Sequence, residues 1–239
     1  MSSSQPPTKG APTVAPIQPF QNPISQTLRH AVPALQAGLF AWQFGPLVAD
    51  PVTTMLASLP VIAATQLAYA ALCLPPAGSS TAKPARKTRS GEKKKAAVTD
   101  GVPPNAPVAS LLSLLLTTFS IPFLYVAFVC FGAPAYTYVS HTALCAAHLA
   151  VLTLFPLFYV HGVDGAAWAD IGAFKAPVDE TVGGLVGGFV GAWLGAVPIP
   201  LDWDREWQRW PVTILAGVYG GYLAGRVLGG TVGFGRRFS

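Results

Sequence analysis

The residues best suited to chemistry lie close together near the end of the chain. Residues 202–210, DWDREWQRW, place Asp202, Asp204, Arg205, Glu206 and Arg209 among Trp203, Trp207 and Trp210. Two acids one residue apart could bind a divalent metal or act as general bases in phosphoryl chemistry. Such chemistry needs more converging groups than one loop supplies, and this loop offers no His, Ser or Thr nucleophile. Trp203, Trp207 and Trp210 stand at i, i+4 and i+7, which predicts a short helix lying in a headgroup layer, where indole has one apolar and one wet edge. Asp202 would cap that turn, Arg205 would pair with Asp202 or Glu206, and Arg209 with Glu206. Asp202, Trp203, Asp204, Arg205, Trp207 and Arg209 are therefore expected to contact a partner or a lipid headgroup, and no catalytic residue is assigned.

A second group is His141, Cys145 and His148, at i, i+4 and i+7 on one helical face. Three donors could begin a metal site, but donors from one helix rarely complete a tetrahedral shell, and the apolar stretch around them holds no carboxylate as a fourth. A buried polar stripe with neutral histidines is the expectation, with no metal and no cofactor. His141 and His148 remain the intramembrane polar residues of interest, because such groups at membrane depth are expensive. The three cysteines lack CxxC spacing and suggest neither a disulfide framework nor structural zinc.

The third pattern is glycine. Gly183, Gly187, Gly191 and Gly195 repeat every four residues, and so do Gly217, Gly221, Gly225 and Gly229. In lipid, helices associate through close backbone approach, which small residues permit. The two stripes either pack on each other as an antiparallel hairpin or receive a partner helix or a lipid chain. Gly184 and Gly188 add a second register, so both can hold together.

The elements that must position these residues follow from composition. Of 239 residues, 51% are hydrophobic and 10% charged, against about 25% charged in a soluble domain. Asp100 and Asp164 bound an interval without Asp, Glu, Lys or Arg, long enough for two bilayer-crossing helices of about 20 residues. The chain reads as an all-α, polytopic membrane protein with about six transmembrane helices. The segments are 31–49, 52–74, 108–131, 135–160, 182–197 and 212–229, the first being the least apolar. They form a hairpin (31–74) and a four-helix block (108–229), separated by a basic, proline-rich linker (75–107) read as disordered. The Trp-bearing loop at 198–211 joins the last two helices. Residues 1–30 read as a disordered tail without a signal peptide, and 230–239 as a second tail.

Six crossings put thirteen of the fifteen Lys and Arg on one face and leave only Arg205 and Arg209 on the other. The bias towards cytoplasmic cations then places both termini and the linker in the cytosol, and the 198–211 loop on the lumenal or extracellular side. The run KPARKTRSGEKKK has no interleaved aromatics, so it reads as a topology signal and not as a nucleic-acid surface. In the 161–181 loop, Asp179 and Glu180 sit near the start of the fifth helix, where its dipole favours acids.

The runs FGAPAYTY, HLAVLTLFPLFYVHGVD and DETVGGLVGGFVGAWLGAVPIPLDWDREWQRWP, with the glycine-rich last helix, resemble the PIG-F family of glycosylphosphatidylinositol anchor biosynthesis in a fungal form. The resemblance covers residues 108–229 and extends to the first two helices only by layout. It implies a multi-pass protein of the endoplasmic reticulum membrane that is not itself an enzyme. Such a protein is a stabilising subunit of the ethanolamine phosphate transferases, which modify mannoses of the anchor precursor. The implied partners are those transferases and membrane lipids, with the precursor among them, and no nucleic acid. Two other classes stay open: a phospholipid-modifying transferase in its own right, using His141, His148 and the loop acids, and a lipid scramblase or transporter.

Overall fold

The computed structural model describes residues 14–79 and 105–237, and all regular structure among them is helical. α1 (Pro23–Ala49) and α2 (Pro51–Cys73) form a hairpin, and α3 (Ala106–Cys130) is a third rod. α4 (Val139–Leu149) continues through a π turn (Ala150–Leu154) into α5 (Phe155–His161) as one rod. A short α6 (Gly165–Gly172) precedes the final hairpin of α7 (Glu180–Ala196) and α8 (Val212–Gly230). Of the six predicted spans, α2, α3, the α4–α5 rod and α8 are long and apolar enough to cross a membrane. α1, which carries Gln26, Gln36 and Gln43, and the 17-residue α7 stand outside that group.

Helix starts are set by side chains that an apolarity profile does not weigh. Asn22 Oδ1 accepts from Ser25 N at 2.7 Å, and Pro23 occupies the first turn, where its missing N–H costs nothing. α1 therefore begins at Pro23, well before the predicted residue 31. Asp50 ends α1 and caps α2, its Oδ1 accepting from Thr53 N at 3.2 Å, so the first hairpin turns on a single residue. Asp164 and Asp179 cap α6 and α7 in the same manner.

The N-terminal stretch expected as a tail packs onto the bundle within residues 14–30. Ile17 is buried, its N–H donating to Asp179 Oδ2 at 2.9 Å, and Phe20 N donates to Cys73 O at 2.8 Å. The C-terminal stretch folds back too, with Val178 N donating to Arg236 O and Gly235 N to Val178 O, both at 2.8 Å. Of the linker predicted over 75–107, residues 80–104 lie outside the described residues, as do residues 1–13 of the tail.

The core is apolar, with Met55, Ile62, Leu215 and Val218 among its buried members, and one outer face is apolar as well. On α3, Val108, Leu111, Leu115, Phe119 and Phe123 are all exposed, while Ser113 and Thr117 are buried and donate to carbonyls four residues back. That inversion suits a helix whose surroundings are hydrocarbon.

Candidate functional site

The two glycine stripes face each other. Gly183 lies against Gly225, Gly187 against Gly221 and Gly191 against Gly217; the ends of the seam pair Asp179 with Gly229 and Gly195 with Thr213. A Cβ at Gly187 would run into the carbonyl oxygen of Gly221 and stand 2.8 Å from the Cα of Gly225. The obstacle is backbone, which cannot move aside as a side chain can. Of the two readings the sequence leaves open, the antiparallel hairpin accounts for both stripes. Each glycine Cα on one helix points at a partner carbonyl, the geometry of weak Cα–H···O contacts.

The second glycine register has a different neighbour. A Cβ at Gly184 would meet the Tyr222 ring at 2.9 Å, and at Gly188 it would approach Leu149 Cδ1 at 3.6 Å and the Thr153 methyl at 2.5 Å. α7 thus packs α8 with one face and the π turn with the next. The π turn itself has an identifiable cause. Pro156 has no N–H for the Leu152 carbonyl, and its ring crowds that carbonyl. Gln66 of α2 supplies the missing donor, its Nε2 lying 2.8 Å from Leu152 O, 3.3 Å from Val151 O and 3.0 Å from Tyr222 OH. Sequence reasoning passed over Gln66, although a glutamine inside an apolar span facing a proline-bearing one is the available signal.

His148 is fully buried and joins three helices. Its Nε2 is 3.1 Å from Met55 O and its Nδ1 is 2.9 Å from Tyr219 OH. A carbonyl can only accept, so Nε2 carries a proton towards Met55 O, and Nδ1 is paired with the tyrosine hydroxyl. His141 is separate from it. It lies edge-on to Tyr138, with ring centroids 5.1 Å apart, near the start of α4, and Cys145 is buried in the core. Among the described residues no group of three His, Cys, Asp or Glu could hold a metal ion.

The 198–211 loop departs from expectation. In place of a helix with three tryptophans on one face, it contains a single 3-10 turn at Glu206–Gln208. Asp202 caps nothing there; the turn follows Arg205, and Asp204 sits at φ +49°. The organiser is Gln208, which the sequence reading did not single out. Its Nε2 donates to Pro198 O and Leu201 O, both at 2.7 Å, and its Oε1 accepts from Arg205 N at 2.9 Å. One side chain thus satisfies three backbone groups that a proline-broken segment leaves without helical partners. Trp203 and Trp207 stay together, 5.8 Å between ring centroids, whereas Trp210 turns inward and donates to Thr142 Oγ1 at 3.1 Å beside Phe128. Arg209 pairs with Glu206 as expected. Asp202, Trp203, Asp204, Arg205 and Arg209 are exposed and Trp207 is half-buried.

The opposite end of the bundle carries a charge cluster that the sequence reading missed as a unit. Glu180 is buried between Arg29 of α1 and Arg226 of α8. Its Oε2 accepts from Tyr69 OH at 2.6 Å and lies 3.5 Å from Arg226 Nε. Arg226 sits 3.7 Å over the Tyr69 ring, a desolvated cation–π contact, and donates to Arg29 O at 3.2 Å. Arg29 reaches Gly230 O at 3.0 Å. Four helices therefore meet on one carboxylate. The signal was Arg226, a cation inside an otherwise apolar span, which requires a buried counter-charge.

Residues 31–230 match the family model described as GPI biosynthesis protein family Pig-F. A Neurospora crassa protein named glycosylphosphatidylinositol anchor biosynthesis protein 11 is 62% identical over 226 residues, covering 95% of this chain and 82% of the relative. A Pyricularia oryzae protein of the same name is 51% identical, covering 96% and 84%. A mouse protein named GPI ethanolamine phosphate transferase, stabilizing subunit, is 38% identical over 109 residues, covering 44% of this chain and 50% of the relative. No solved structure matches.

Proposed function

Since the chain belongs to the Pig-F family of glycosylphosphatidylinositol biosynthesis, we propose that it is a non-catalytic, stabilising subunit of an ethanolamine phosphate transferase in the endoplasmic reticulum membrane. The printed name of the mouse relative supports the accessory role. In this reading all six rods cross the bilayer and both termini are cytosolic. The buried Arg29–Glu180–Arg226 cluster then sits towards the cytosolic end, and the 198–211 loop faces the lumen. α1 and α7 are held in place by packing against the four more apolar rods, with the Glu180 cluster tying them at one end.

The observation that carries the reading is the form of the 198–211 loop. Gln208 binds its backbone into a fixed knot, and Asp202, Asp204 and Arg205 project outward from it. Charges that are exposed yet rigidly based are suited to recognition, because little ordering entropy is lost on contact. Together with Trp203, Trp207 and Arg209 they form the contact surface for the transferase's lumenal part or the anchor lipid's headgroup. The glycine stripes pack on each other within the chain's own hairpin, and this loop and the outer helix faces are the surfaces assigned to the partner.

The test is a paired charge reversal, Asp204→Arg with Arg205→Glu, in cells lacking the native protein. Membrane insertion and protein level should be unchanged, while co-purification with the transferase or ethanolamine phosphate transfer falls at least several-fold. Unaltered assembly and transfer would remove the loop from the mechanism.

A further inference from the structure

On its outer side the α7–α8 hairpin carries an open groove of about 770 Å³. The floor is the glycine seam itself; one rim includes Val186, Val190 and Leu194 of α7, and the other Gly220, Ala224 and Leu228 of α8. Arg236, beyond the end of α8, lines the groove at one end and is the one charged side chain among the described residues that does so.

From Val182 to Leu194 the groove rises about 18 Å, and it continues past the helix ends to Val178 and Arg236. That exceeds half of a hydrocarbon layer about 30 Å thick, so the groove reaches beyond the leaflet in which it starts. α7, at 17 residues, is short for a full crossing, and association with other helices is one way in which a short span is accommodated. Gly220 then separates a helix from a lipid chain as the occupant. It is exposed within α8, and a Cβ there would meet nothing within 4 Å. The chain's own packing therefore gains nothing from a glycine that weakens its helix. Hydrocarbon does not call for one either, because it packs against a methyl group as well as against bare backbone. Close approach of another helix backbone does call for it.

Charge sets the chemistry of one end of that helix. Arg236 is exposed and has no carboxylate partner among the described residues. Arg237 follows it and donates to Lys175 O at 3.1 Å. Against these three cations stand Asp164, which caps α6, and Asp170; Asp179 and Glu180 are buried, the first capping α7 and the second paired with Arg29 and Arg226. This end of the groove is net cationic, complementary to a helix that carries Asp or Glu where it leaves the membrane. We propose that the groove seats a transmembrane helix of the transferase, with a carboxylate at its end paired to Arg236. The inference rests on the stabilising-subunit reading above and adds the surface through which the partner is held.

The test uses the full-length chain assembled with its transferase in the membrane. A photoreactive benzoylphenylalanine in place of Ala224 should cross-link to a transmembrane segment of the transferase, whereas one in place of Leu115, on the outer face of α3, should label lipid. Gly220→Leu should lower co-purification of the transferase at least fivefold and leave the melting temperature of the chain purified alone unchanged; Ala224→Trp replaces it if that variant is not monodisperse. Arg236→Glu should lower co-purification several-fold, and Arg236→Lys should retain most of it. An adduct at position 224 with phospholipid alone, or with a second copy of this chain, would overturn the helix as occupant even while the transferase co-purifies. Undiminished co-purification by Gly220→Leu would overturn the groove as an interface, and a lowered melting temperature would overturn the external role of Gly220. Loss with Gly220→Leu but not with Arg236→Glu would overturn the ion pair alone. A native chain that brings down no transferase would instead overturn the stabilising-subunit reading, and this inference with it.

Discussion

Glu180 accepts from Tyr69 and pairs with both Arg29 and Arg226 while almost wholly buried. Removing one member of a buried charge group leaves the others desolvated and uncompensated, a loss of about 3–5 kcal/mol. Glu180→Ala should therefore lower the unfolding midpoint in detergent sharply, and Glu180→Gln, which can still accept from Tyr69, should cost less. A melting curve for either variant that overlays the native one would show that the cluster does not hold the bundle. Part of this residue-scale picture was open to sequence reasoning. Asp179 at the start of α7 and the Arg209–Glu206 pair follow from local spacing, because capping and i,i+3 pairing act within one turn. The Glu180 cluster was hidden because its partners are separated by 151 residues in the case of Arg29, and no local pattern encodes that distance.

At the scale of the helix, the seam and the π turn make different demands. Gly187→Ala and Gly221→Ala place a methyl against a backbone carbonyl and should each destabilise by about 1–3 kcal/mol, the usual cost of overpacking. Gly220 on the same helix meets nothing within 4 Å, so Gly220→Ala should be neutral or stabilising by up to about 1 kcal/mol from helix propensity. Thermal unfolding of the three variants side by side checks the contrast; equal effects would mean that the seam is looser than described. At the π turn, Gln66→Leu leaves the Leu152 carbonyl unpaired at a cost of about 1–3 kcal/mol. Pro156→Ala restores a local donor, so the double variant should recover part of that loss, and additive costs in a double-mutant cycle would break the link between proline and glutamine. The glycine pairing was legible because four-residue spacing is a direct statement about one face of a helix. The loop was not, since Trp periodicity presumes a helix, and Pro198, Pro200 and the reach of Gln208 build an irregular turn instead.

For the whole molecule, the proposed arrangement of six crossings makes a sidedness prediction. In a variant whose native cysteines are replaced, a single cysteine at Asp202 should react with a membrane-impermeant maleimide only after the lumenal side of sealed microsomes is opened. One at Lys9 should react without opening, and the reverse pattern would invert the topology. Composition alone identified the class of the protein, because a charge-free interval of this length has no place in a soluble core. It also picked out the first segment as the least apolar, and α1, which has the length of a span, does stand outside the group apolar enough to cross a membrane.

Translation adds a time axis to the cluster that joins α1 to the last hairpin. Arg29 leaves the ribosome early, whereas its carboxylate at Glu180 and the second guanidinium at Arg226 are made near the end. Through most of synthesis, the least apolar of the six rods carries a cation without its buried partner. Only when the glycine-seamed hairpin arrives do Ile17, Arg29 and Tyr69 gain the groups that fix them. Folding of the first helix is therefore completed last, and chains stopped before residue 180 should leave α1 open to protease or to escort by quality-control factors, whatever the quality of their own hairpin.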